Sequence, residues 1–164
     1  LGMKFITGSP KPKFSKPPPV IVKLPGGAAR SMVLGVKPVT LATVRDGKAG
    51  TTVGYGARLK LARDSKLAII SAGYADGIFR ASGSSDNKKG AEAVVAGQRC
   101  NIAGRISMDL LAVDVTDVSN VKRGDLVTLI GDGITVDVLA GHARTIGYEV
   151  LTSLSPRWKR IYIE

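Results

Sequence analysis

From Val33 onward the chain is a succession of short apolar runs, each stopped by glycine or aspartate. Val39, Leu41 and Val44 predict a strand that ends at Asp46-Gly47, and residues 67–70 predict a buried strand ending at Gly73. Ala93-Val94-Val95 and Asn101-Ile102 flank Ala96-Gly97-Gln98, which reads as a hairpin turn. The alternating run from Leu110 to Val115 stops at Asp117, residues 126–130 stop at Gly131-Asp132-Gly133, and residues 160–163 predict a last strand. Strands recurring every ~8–12 residues must bury one face by closing on themselves or by stacking sheet on sheet. The expected fold is therefore all-β, a closed barrel or sandwich-like domain. Two short helices interrupt it: one capped by Thr135 and running from Val136 to about Ala143, the other from about Glu149 to Leu154. Residues 82–90, rich in Ser, Gly, Asn and Lys, read as an exposed loop.

Residues 1–30 differ in kind. They hold six of the eight prolines, together with Lys4, Lys11, Lys13, Lys16, Lys23 and Arg30, and no acidic residue. Proline fixes φ and lacks an amide donor, so this stretch is expected to be extended or irregular, a flexible or non-native leader before a domain over 31–164. It also carries more than half of the net charge of +11. The rest of the chain is only mildly basic, and 5% aromatic residues offer no evident platform for stacking bases. A nucleic-acid partner is therefore not expected. No apolar run approaches the ~20 residues of a membrane span. The first ten residues lack a signal-peptide core, and a single Cys100 excludes an internal disulfide, so the cytoplasm is the expected compartment.

The usual catalytic sets are missing. One histidine cannot build a multi-imidazole metal centre, so no metal is expected, and His142 reads as a residue on an exposed turn. No glycine-rich phosphate loop occurs. What does stand out is tyrosine placement: Gly54-Tyr55-Gly56, Gly73-Tyr74-Ala75-Asp76-Gly77 and Gly147-Tyr148-Glu149. Glycine neighbours permit tight turns and leave the phenol unshielded. Such a phenol could move a proton or donate to an anion. Equally, it could cap a core strand and hydrogen-bond a carbonyl. On the residues alone both readings stay open.

Six motifs in order resemble the C-terminal β domain of alanine racemases. They are Val53-Gly54-Tyr55-Gly56-Ala57, Gly73-Tyr74-Ala75-Asp76-Gly77, Gly104-Arg105-Ile106-Ser107-Met108-Asp109, residues 124–131, Thr145-Ile146-Gly147-Tyr148-Glu149 and Leu154-Ser155-Pro156-Arg157. Each is short, but their order across about four-fifths of the chain is specific, whereas residues 1–30 do not resemble the family. The resemblance implies an isomerase of fold type III that interconverts L- and D-alanine for peptidoglycan. Its subunit joins an N-terminal (β/α)8 barrel, carrying pyridoxal phosphate on a lysine, to this β domain. Subunits pair head to tail, so each site combines one barrel with the partner's β domain.

By that resemblance Tyr55 is the catalytic phenol and the Met108 backbone amide meets the substrate carboxylate. Tyr148 contacts the cofactor phosphate, and Tyr74, Arg105 and Arg80 line the entrance. Asp109 is structural. Gly147 stands where many relatives carry asparagine, and residues 82–90 look like a tolerated insertion. No lysine lies in the family's cofactor-lysine motif. The chain is accordingly expected to be a fragment, inactive alone, and without covalently bound pyridoxal phosphate. Two other readings are a β-barrel binding or assembly module with a basic tail, and the same domain of a broader-range amino-acid racemase.

Overall fold

The hairpin at Ala96-Gly97 forms, with φ of 48° and 79°. Both central residues lie in the left-handed region, as a two-residue turn between right-twisted strands requires. In the computed structural model, which describes residues 20–22, 32–34, 39–131 and 133–158, this turn joins β7 (Glu92–Val95) to β8 (Gln98–Ala103). The other strands are β1 (Val20–Val22), β2 (Met32–Leu34), β3 (Val39–Gly47), β4 (Thr52–Val53), β5 (Leu59–Lys60), β6 (Ser65–Ile70), β9 (Leu111–Asp114) and β10 (Leu126–Thr128). Two helices follow, α1 (Val136–Ala143) and α2 (Gly147–Ser153).

Six strands close into a barrel in the order β10-β3-β6-β9-β8-β7, every neighbouring pair antiparallel and β7 returning to β10 through Val95 opposite Val127. Closure removes the free edges that open sheets leave. The inward positions of each strand are apolar: Leu41, Ala68 and Ile70, Ala93 and Val95, Ile102, Leu111 and Val113, and Val127, all buried. Burying each such branched side chain contributes roughly 1.5–3 kcal/mol relative to exposure. The mainly β fold expected from the apolar pattern is the one observed. β1 pairs with β2 as a separate ladder, Ile21 opposite Val33. The rest of the 1–30 leader and the expected strand over 160–163 lie outside the described residues.

Thr135 caps α1 as expected, its Oγ1 accepting from Val138 N at 3.2 Å. The second helix begins at Gly147, two residues earlier than the pattern suggested. Residues 82–90 are exposed, as expected, only at Asp86, Asn87 and Lys89, and are buried at both ends. Ser82 is fully buried and Ser84 nearly so. Ser84 exchanges two bonds with Gly104, N to O at 3.0 Å and Oγ from N at 2.8 Å, and Ala91 N donates to Ser82 O at 2.8 Å. Lys88 Nζ donates to Ala81 O and, at 3.3 Å, to His142 O near the end of α1. The segment is a strap between barrel and helix, and its polar composition serves backbone groups that would otherwise be buried without partners. His142 beneath it is half-buried rather than exposed. Among the described residues no helix is long and apolar enough to cross a membrane.

Candidate active site

Tyr55 sits in the turn between β4 and β5, where Gly54, Gly56 and Ala57 all have positive φ, of 81°, 73° and 50°. Ala57 N closes the turn onto Gly54 O at 3.2 Å. A Cβ on Gly54 would stand 2.4 Å from Arg105 N, and one on Gly104 would stand 2.5 Å from Val53 O. Only two glycines let these backbones meet, so the turn is pressed against the end of β8. The ring is forced outward and is 65% exposed. The guanidinium of Arg80 lies over it, 5.4 Å from the centroid, close enough for a cation–π contact. Half-buried Arg105 reaches the same turn, its Nη1 3.8 Å from where a Gly56 Cβ would be.

Tyr74 is displayed by a 3₁₀ turn, Tyr74–Asp76. Gly73 packs so closely that a Cβ there would fall 2.3 Å from the carbonyl oxygens of Ser107 and Met108. Tyr74 N then donates to Ser107 O at 3.0 Å, and Ala75 N to Met108 O at 2.9 Å. Fully buried Ile106 anchors this segment, leaving the Met108 side chain outside, 53% exposed. Residues 104–108 thus run past both tyrosine turns and gather five of the six expected site residues: Tyr55, Arg80, Arg105, Tyr74 and Met108. Tyr148 stands apart, exposed on the first turn of α2, whose last residue, Ser153, abuts Gly77 just after the Tyr74 turn. The three glycine-flanked tyrosines are exposed, so none is a core strand cap.

Sequence reasoning named Asp109 as structural but gave no role to Asp76, Arg157 or Trp158, which hold these turns with it. Asp76 is buried, and its Oδ2 accepts from Gly73 N at 2.9 Å, closing the Tyr74 turn on itself. Its carbonyl accepts from Ser155 N at 3.3 Å and from the indole Nε1 of buried Trp158. Arg157 Nη1 meets Asp109 Oδ1 at 2.7 Å and Asp76 Oδ1 at 3.5 Å. The hydrogen bond that Arg157 donates to Asp109, together with the charges of Asp109 and Asp76, raises the guanidinium pKa above its ordinary value. An aspartate just before a glycine is a common turn signal, but nothing local pointed to its distant partner. Among the described residues no cluster of His, Cys, Asp and Glu could hold a metal ion. A groove of about 450 Å³ lined by residues such as Leu59, Ser84, Lys88 and Asn101 contains none of the candidates.

Fold and site define a closed β-barrel domain that presents phenols, guanidinium groups and backbone turns on an open face. Residues 37–162 match the family model described as alanine racemase, C-terminal domain, and the chain belongs to that family. An alanine racemase of Methylobacterium sp. (strain 4-46) is 41% identical over 99% of this chain and 40% of its own length. That alignment takes in the proline-rich segment, which corrects the expectation that residues 1–30 are unlike the family. The biosynthetic alanine racemase of Pseudomonas aeruginosa superposes with a TM-score of 0.69 at 36% identity, over 82% of this chain and 35% of that one. The alanine racemase of Bartonella henselae with covalently bound pyridoxal phosphate superposes at 0.68 with 38% identity, over 82% and 34%. The chain thus spans about 40% of the length of the Methylobacterium relative.

Proposed function

We propose that this domain forms one wall of a pyridoxal-phosphate-dependent alanine racemase site, the other wall being the barrel domain of a second subunit in a head-to-tail dimer. What supports the reading is the Tyr55 phenol, held outward in a left-handed glycine turn with Arg80 over its ring and Arg105 beside it. Racemisation needs a proton removed from one face of the α carbon and returned to the other, and so two groups facing each other across it. Tyr55 Oη is one of them, and a barrel lysine is the other.

The chain's accessible donors fit an anionic cofactor and an amino-acid carboxylate: three exposed phenols and the two guanidinium groups beside Tyr55. When bound, pyridoxal phosphate acts as an electron sink that makes the α proton removable. Tyr148 donates to its phosphate. The Met108 amide orients the substrate carboxylate, a role set by backbone geometry rather than by the thioether. Tyr74, Arg105 and Arg80 border the way in and admit a small zwitterion. The reaction takes place in the cytoplasm, supplying D-alanine for peptidoglycan, and this chain without a barrel does not racemise.

The test is reconstitution with a separately produced racemase barrel. Tyr55→Phe removes only a solvent-facing hydroxyl, so folding should be unchanged while activity falls by about 10²-fold or more. Tyr74→Phe should cost less, because a bordering hydroxyl moves no proton. If Tyr55→Phe retained full reconstituted activity, the assignment would be wrong.

A further inference from the structure

The Leu154-Ser155-Pro156-Arg157 motif takes no part in the proton transfer proposed above, yet it reaches both segments that carry entrance and carboxylate contacts. A single nitrogen, Arg157 Nη1, stands 2.7 Å from Asp109 Oδ1 and 3.5 Å from Asp76 Oδ1. Asp76 closes the turn that displays Tyr74, and Asp109 directly follows Met108. The stretch bearing Arg157 is itself fastened to that turn by Ser155 N and Trp158 Nε1, both donating to Asp76 O. Apart from this bridge, the two segments meet through the bonds from Tyr74 N and Ala75 N to Ser107 O and Met108 O.

We propose that Arg157 is a positioning residue: by bridging Asp76 and Asp109 it fixes the spacing between the Tyr74 turn and the Met108 backbone. It thereby sets the aim of the Met108 amide. This rests on the racemase reading for the roles of Tyr74 and Met108, but the bridge itself does not. Arg157 and Asp109 are both more than half exposed. An ion pair in such a setting is screened by water and adds little to global stability, so its loss should open the two segments locally rather than unfold the barrel.

The experiment is amide hydrogen exchange on the whole chain with Arg157→Ala, Arg157→Gln and Arg157→Lys. In the first two, the Tyr74 and Ala75 amides should exchange about tenfold faster or more, while those pairing β6 with β9 keep their protection. Arg157→Lys should retain protection at Tyr74 and Ala75, because one nitrogen makes both contacts and an ammonium can take its place. Unchanged exchange in Arg157→Ala would overturn the proposal. So would an equal loss at Tyr74, Ala75 and throughout β6 and β9, which marks a general stabiliser. In a racemase subunit that contains this domain, Arg157→Ala should raise KM for alanine about tenfold with kcat nearly unchanged. A fall in kcat alone would overturn the link to the Met108 amide. A wild-type subunit without racemase activity would sink the functional reading and leave the exchange data to decide on the bridge.

Discussion

At Gly54 two constraints meet that glycine alone satisfies: a φ of 81° and backbone contact with Arg105. Gly97 has nearly the same φ, 79°, with nothing within 4 Å of where a Cβ would stand. The pair separates handedness from close approach. Gly97→Ala should cost about 1–2 kcal/mol, the ordinary penalty of a left-handed L residue. Gly54→Ala should cost clearly more, since a Cβ 2.4 Å from Arg105 N forces the Tyr55 turn off β8. Urea unfolding midpoints of the two variants check this, and equal costs would mean that the turn does not press on Arg105. The glycine-flanked tyrosines stood out in the sequence, but glycine neighbours suit a solvent-facing phenol and a core cap alike, and only the family motifs favoured the first. Arg80 over the Tyr55 ring was legible only as a family position, and Arg157 against Asp76 spans 81 residues, beyond any local pattern.

The elements of the barrel could be read because short apolar runs stop near turn residues, with β7 alternating buried and open positions and β9 apolar almost throughout, and the Thr135 cap could be read because it precedes Val136 and Leu139. The strap over residues 82–90 could not. Serine, glycine and lysine announce a turn-rich segment, but which carbonyls they face depends on the pleat of β8 and the end of α1. α1 is thereby held at both ends, by Thr135 Oγ1 at its start and by Lys88 Nζ near its finish. Thr135→Ala leaves the Val138 amide without its acceptor and should destabilise the domain by about 1 kcal/mol. Thr135→Ser keeps the hydroxyl and should retain most of that stability, read from the same urea titrations. If alanine and serine proved equivalent, the cap would contribute nothing, and α1 would rest on its packing against α2 and the strap.

For the whole molecule, the question is which half of the chemistry this domain can hold. Covalent attachment of pyridoxal phosphate needs a lysine amine that is both positioned and able to shed its proton, which burial or a neighbouring cation provides. The described lysines have other engagements or open settings. Lys48 pairs with Asp64 at 2.7 Å, Lys89 with Glu92 at 3.3 Å, and Lys88 donates to two backbone carbonyls. Lys60, Lys66 and Lys122 are exposed on the surface, and Lys66 borders a shallow pocket of about 220 Å³ beside Asp46 and Asp64, whose carboxylates favour a charged ammonium over the free amine that attachment needs. The purified chain, incubated with pyridoxal phosphate, reduced with borohydride and digested, should therefore yield only scattered substoichiometric adducts by mass spectrometry. When a racemase barrel is added before reduction, one adduct per barrel should appear, on the barrel's own lysine. A stoichiometric adduct at a single lysine of this chain would place the cofactor's anchor in the β domain and reverse the division of labour proposed between its two walls.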